Sequence, residues 1–270
     1  PDVDDEGSIS PDGRYLTYAH WETGDLGLRD LATNTAKLLT NTGGWEKSGG
    51  EYAQDSRFSP DAKKIAYNWF LPKKDGKPGG YEIRVMNADG SGVRTIGWHG
   101  GRGYAFPVAW SPDARHLAVS DFRVDGKQAL YLLEVLTGKT QELIAPGPFS
   151  GGHRGAFSPD GKWLALSDYR ANEIFMLSTT GGEPHPIAPH PANETLAAWS
   201  SDGKSLFFLS NRSGSYGLWQ VPIAGGREAG PAKLVRGEFG QTVKAIGFTT
   251  AGAFAYSSAA GGTDIFEASI

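Results

Sequence analysis

The chain has 270 residues, 30 acidic against 26 basic side chains, no cysteine, and 11% aromatic residues. The net charge of −4 argues against a nucleic-acid surface, and the lack of cysteine removes disulfide frameworks and thiolate zinc sites. No run of 18 apolar residues exists to span a bilayer as a helix, and 38 glycines with 16 prolines beside abundant aromatics point to many short strands joined by turns.

In chain order, the opening PDVDDEG has no initiator methionine and reads as a mature form or an excised domain. It lacks the spacing and closing glutamate of a calcium loop. SISPDGRYLTYAHW, from Ser8, then sets a pattern of strand, Ser-Pro-Asp-Gly turn and strand. It returns as RFSPDAKKIAYNWF from Arg57, AWSPDARHLAVSDF from Ala109, AFSPDGKWLALSDY from Ala156 and AWSSDGKSLFFLSN from Ala198. An eroded copy, GFTTAGAFAYSSAA, starts at Gly247. The turn serine or threonine falls at 10, 59, 111, 158, 200 and 249. The second unit predicts strands over 53–58, 64–70, 81–87 and 93–97, with NADGSG as the last turn. Later turns are TGK at 137–139 and TTGGE at 179–183; ATNT at 32–35 is the counterpart in the first unit. The sixth unit predicts strands over 242–248, 253–257 and 263–268, and stops before an outer strand.

A period near 45 residues with strand patterns and Gly/Pro punctuation fits a propeller blade of four strands and not a helical repeat. The expected fold is all-β, a six-bladed beta-propeller with four-stranded blades and an incomplete last blade. Blade bounds are about 1–44, 45–97, 98–145, 146–188, 189–236 and 237–270. The last blade is expected to have three strands, or to take an outer strand from before Pro1. Proline fixes φ in each turn, aspartate accepts backbone hydrogen bonds, and glycine permits positive φ. The preceding Phe58, Trp110, Phe157, Trp199 or Phe248 should pack between blades; Ile9 departs from this rule.

The turn pattern, aromatic-S-P-D-G-[KR]-x-[LI]-A, resembles the beta-propeller repeats of the TolB family, and the likeness runs through the whole chain. The resemblance implies a disc of blades around a channel, in a periplasmic or extracytoplasmic setting, with a cytoplasmic one left open. It also implies membership of a larger multidomain protein, since such propellers occur in scaffolds, sensors, regulatory proteins and peptidases. ETGDLGLRDLAT, at 22–33, resembles segments of large multidomain bacterial proteins.

In a propeller the connections from one blade's outer strand to the next inner strand surround one channel mouth. Here they span 41–52, 98–105, 145–154, 188–194 and 236–242. The ligand-binding candidates they carry are Glu51, His99, Arg102, Tyr104, His153, Arg154, His190, Glu194 and Glu238. Each alone is most simply a solvated loop residue. Together they suit a protein or peptide, or a small polar ligand. Arg102 and Arg154 have the fork that binds a carboxylate. His99, His153 and His190 sit at unequal distances from their turns and need not converge, so no metal or cofactor is assigned. Asp168, Tyr169 and Arg170 are matched by Asp121, Phe122 and Arg123, and by Asn211 and Arg212, which favours a scaffold role. No G-x-S-x-G and no phosphate-binding GxxxxGK[ST] occurs, and no catalytic residue is assigned. The expected function is a non-catalytic protein- or peptide-interaction module. The alternative is the substrate-gating propeller of a larger hydrolase, or a propeller enzyme on a small polar substrate such as a glycan. Glu51, Glu194 and Glu238 would then be the acid–base candidates.

Overall fold

The repeated turn is closed by its own side chains. In the computed structural model, the serine Oγ of five copies donates to the aspartate Oδ1 two residues on, at 2.5–2.7 Å, from Ser10–Asp12 to Ser200–Asp202. That carboxylate accepts the amide N–H two residues further, and the serine Oγ accepts the amide five residues on. The residue after each aspartate has positive φ: glycine in three copies, but Ala62 (58°) and Ala114 (55°) in two. The motif is thus a self-contained hairpin clamp, and its repetition serves the fold.

The structure describes residues 7–98, 103–147, 151–168, 172–240, 243–259 and 263–268. These residues form six antiparallel sheets. The first holds β1 (Tyr15–His20), β2 (Asp25–Asp30) and β3 (Thr35–Leu38), with Ile9 bridged to Leu16 as the stub of an inner strand. A one-turn helix, α1 (Trp45–Ser48), leads to the second sheet of β4 (Tyr52–Phe58), β5 (Lys64–Leu71), β6 (Gly80–Asn87) and β7 (Arg94–Trp98). The third is β8 (Gly103–Trp110), β9 (His116–Arg123), β10 (Gln128–Glu134) and β11 (Thr140–Gly147). The fourth is β12 (Gly151–Phe157), β13 (Trp163–Asp168), β14 (Glu173–Ser178) and β15 (His185–Ile187). The fifth is β16 (Glu194–Trp199), β17 (Ser205–Ser210) and β18 (Gly217–Ala224), edged by β19 (Arg227–Glu228) and β20 (Lys233–Arg236). The sixth is β21 (Val243–Phe248), β22 (Phe254–Ala259) and β23 (Thr263–Ala268). Residues 1–5, where a strand on the last sheet would have contradicted the expected blade, lie outside the described residues.

The core lies between neighbouring sheets, not inside any one. Leu26 and Leu28 pack on Ile65, Tyr67 and Met86; Ile83 and Val85 on Trp110, Leu117 and Val119. Phe106 and Leu130 meet Phe157 and Leu164; Ile174 and Met176 meet Leu206 and Phe208; Leu209 and Leu218 meet Val243 and Phe254. Second strands are sandwiched on both faces, so β5 and β9 are buried along unbroken runs, whereas β3 and β20 at the outer edge are exposed throughout. Trp110, Phe157 and Trp199 are buried as expected. The two indoles also reach the preceding sheet, Trp110 Nε1 donating to the carbonyl of Arg57 (2.9 Å) and Trp199 Nε1 to that of Ala156 (3.0 Å). The sixth sheet comes back to the first: the amide of Thr250 donates to the carbonyl of Pro11 at 2.7 Å.

Candidate functional site

Inner strands from all six sheets line one cavity of about 330 Å³, through Ser8 and Ile9, Arg57 and Phe58, Val108, Arg154, Leu196 and Ala197, and Ile246 and Phe248. A larger groove of about 510 Å³ opens between the first two sheets at the clamp turns. There Asp12 and Asp30 already have partners, the Ser10 hydroxyl and Arg14 respectively. The axial cavity is therefore the better candidate for a ligand.

Five of the inner strands have a register shift against their partner, where a bulge locally bends the strand. In β4 the bulge holds Asp55 at a φ of 40°. Its buried carboxylate accepts the Tyr104 hydroxyl and, at 3.3 Å, Asn68 Nδ2. Asn68 also donates to the carbonyl of Ala105 at 3.1 Å. Burial pushes the Asp55 carboxyl above its usual value; the charge of Arg57 pulls the other way. Arg57 is held flat by two bonds, Nε to the carbonyl of Val108 (3.1 Å) and Nη1 to that of Ser56 (2.8 Å). Arg154, on β12, is half-buried and lines the cavity. Burial first, and then repulsion from Arg57, bring its guanidinium down to about 10.

Of the residues expected from sequence, Arg154 lines the cavity, and Tyr104 bonds Asp55, whose charge acts on Arg154. Glu51 does not join them: its Oε2 accepts Trp69 Nε1 at 2.8 Å. Glu194 was expected on the rim and is instead 2% exposed at the start of β16. Its Oε1 accepts Arg212 and the Ser210 hydroxyl, while Oε2 has no partner among the described residues. Arg212 also donates to the carbonyl of Ala188 and lies over the rings of Phe208 and Trp219. Glu194 is thus a fold residue: burial pushes its carboxyl up to about 7 against the pull of Arg212. His190 and Glu238 are exposed, and His190 Nδ1 accepts the amide of Ala192. His99 and Arg102 lie outside the described residues. His153 falls within β12, with its side chain outside the described set. Asp121 and Asp168 are buried. Tyr169 and Arg170 lie outside the described residues.

Sequence reasoning missed Asp55, Arg57 and Asn68. A signal was available in the repeat: the position before the turn aromatic is Arg57 in one copy but Ala109, Ala156, Ala198 or Gly247 in others. It placed Tyr104 on the rim but did not foresee that the rim aromatics join into one ledge. Trp21, in the β1–β2 turn, and Trp45, on α1, stay 42% and 37% exposed, and Trp45 Nε1 bonds the carbonyl of Trp21 at 2.8 Å. Both rings flank Tyr52, with centroids 5.6 and 5.8 Å away. The run continues through Phe70 and Tyr81 to Tyr104. These residues sit at the starts of inner strands and in turns between middle strands, opposite the clamp turns.

The Tol-Pal system protein TolB of Bordetella pertussis is 34% identical over 150 residues, which is 54% of this chain. The chain spans about one third of the length of that relative, 33%. The crystal structure of TolB from Acinetobacter baumannii shares the fold with a TM-score of 0.59 at 18% identity, over 97% of this chain and 64% of that one. A prolyl endopeptidase shares it with a TM-score of 0.62 at 17% identity, over 98% of this chain but 41% of that one. At such identity both likenesses carry the fold alone. A family model described as the TolB beta propeller domain matches residues 69–232, more than half of the sequence, and the chain belongs to that family.

Proposed function

We propose that this chain is a ring-closed, six-bladed propeller, with blades near the bounds expected from the repeat, that binds a protein or peptide at one mouth of its channel. The observation that carries the reading is the exposed indole pair, Trp21 and Trp45, backed by Tyr52 on the edge opposite the clamp turns. Tryptophan, tyrosine and arginine are the side chains that dominate protein-interface energetics, and rigid rings lose little entropy on contact. Arg57 and Arg154 add positive charge to the lining of the axial cavity. The TolB likeness supports a periplasmic or extracytoplasmic place for this activity, inside a longer protein.

The test is photo-crosslinking in the native cell. A benzophenone residue replaces Trp45 in one variant and Asp160, on the clamp-turn face, in another. Discrete protein adducts from position 45 and none from 160 are expected. Adducts from 160 alone, or from neither position, would overturn the reading. Trp21→Ala and Trp45→Ala should each weaken capture of the adduct partner at least tenfold, with the thermal midpoint of the variant unchanged.

A further inference from the structure

We propose that the partner at the channel mouth is an extended acidic peptide segment. It rests an aliphatic or prolyl side chain on the indoles of Trp21 and Trp45 and sets its carboxylates against Lys73, Lys74 and Lys77. The inference rests on the mouth-binding reading and names the chemistry of the partner. It begins from a hairpin that the repeat does not require. The connection from β5 to β6 takes eight residues, 72–79, where those from β1 to β2 (21–24) and from β9 to β10 (124–127) take four. The long connection carries three lysines against one acid, Asp75, in a chain whose net charge is −4. Lys73, Lys74 and Lys77 are all exposed, and none has an ion pair among the described residues.

The hairpin has a defined form. Lys74 and Lys77 exchange backbone hydrogen bonds, at 2.9 and 3.3 Å, around Asp75 and Gly76. The φ values of those two residues, 51° and 75°, are those of a type I′ turn. It also grows directly from the aromatic ledge. Phe70 and Tyr81 face each other at its base with centroids 5.2 Å apart. Phe70 stacks on Tyr52 at 4.8 Å, and Trp45 lies 5.8 Å from Tyr52 on the other side. Apolar and cationic surfaces are therefore continuous. Trp45 Nε1 is already given to the Trp21 carbonyl, so Trp45 offers a ring face and not a donor, which suits an aliphatic or prolyl group. At about 3.3 Å per residue, an extended segment of roughly six residues reaches from the indoles to the lysines. The distribution of charge selects among anionic partners. Glu22 and Glu46 are exposed beside the indoles, at the end of the ledge away from the hairpin. A uniformly anionic surface, such as a phospholipid bilayer or single-stranded nucleic acid, would meet both carboxylates as it covered the rings. A peptide places neutral residues there and its acids at the hairpin.

A displayed library of random octapeptides is selected on the purified chain, and the enriched sequences are read. They should carry at least two Asp or Glu about three to six positions from a Leu, Ile, Val or Pro. One enriched peptide is then dye-labelled and titrated by fluorescence anisotropy. The triple variant Lys73→Glu, Lys74→Glu, Lys77→Glu should weaken it at least tenfold and should prefer its charge-reversed analogue, in which each acid is lysine. Should that variant fail to fold, glutamine at the same three positions should weaken binding without reversing the preference. Trp45→Ala should weaken binding at least tenfold and keep the preference for acids. The proposal is overturned if nothing is enriched, if the enriched peptides are basic or uncharged, or if removing the lysine charges leaves affinity unchanged. Tighter binding of phosphatidylglycerol vesicles or of oligothymidylate would also overturn it. Adducts from position 45 in the cell, with no acidic preference in the library, would sink this inference and leave the mouth-binding reading standing.

Discussion

Ala62 and Ala114 show how far a repeat can bend a local rule. Both occupy the left-handed position of the clamp turn, where other copies have glycine. A Cβ there costs about 1–2 kcal/mol, and a glycine recovers it at an entropic cost of about 0.4–1 kcal/mol in the unfolded chain. Ala62→Gly and Ala114→Gly should each stabilise the protein by roughly 0.5–1 kcal/mol in urea denaturation. Glu194 tells the opposite story, of a group whose surroundings the sequence hides. Its folded-state carboxyl titrates near 7 against an ordinary value of 4.5, so the folded state holds a proton that the unfolded state has lost. Stability on this account is greatest below 4.5 and falls as pH rises toward 7. The clamp aspartates Asp61, Asp113 and Asp160 act with the reverse sign. Their serine partners hold them below the usual carboxylate range, so their contribution is present above pH 3.8 and is lost under more acid conditions. Glu194→Gln should therefore flatten the decline between pH 4.5 and 7 and leave the acid limb intact, as read from denaturation midpoints across pH. Glu194→Ala, which removes the carboxylate from the half-buried Arg212, should cost about 3 kcal/mol.

At the scale of the element, inner strands carry two duties. Their far ends hold the aromatic that packs on the neighbouring sheet, and they also line the axial cavity. Trp199→Ala should destabilise by about 3–5 kcal/mol, since a buried indole leaves a cavity that its neighbours fill only in part. Trp199→Phe should recover most of that and lose about 1 kcal/mol for the missing bond to the Ala156 carbonyl. If the two substitutions destabilise equally in denaturant, the packing account of the sheet interface fails. The aromatics were legible because strand, turn and strand follow one another within fourteen letters of sequence, as in AFSPDGKWLALSDY. The bulges were not, because a bulge is a mismatch between two strands and is invisible in either alone.

For the whole molecule, the question is how the last sheet meets the first. Besides the Thr250–Pro11 bond, a Cβ added to Gly13 would lie 2.8 Å from Cγ2 of Thr249. Gly161, in the same turn position, has nothing nearer than 3.8 Å. Both have positive φ, so Gly161→Ala should cost about 1–2 kcal/mol from backbone strain. Gly13→Ala should cost more, by roughly 1 kcal/mol, because Thr249 must also move. Equal losses in a denaturation experiment would mean that the seam is looser than the contacts across it indicate.

The sequence by itself determined the repeat, the clamp turn, the interblade aromatics and the all-β class. Each of these is written in neighbouring residues or in a fixed period, and local stereochemistry enforces it. The tertiary structure alone decided which polar residues matter. It buried Glu194 against Arg212, put Glu51 on Trp69, and brought Asp55, Arg57, Tyr104 and Arg154 together from three different sheets. The meeting of Arg57 with Arg154 has no local cause. It exists because the successive sheets curve round one axis, so inner strands far apart in sequence face a common cavity.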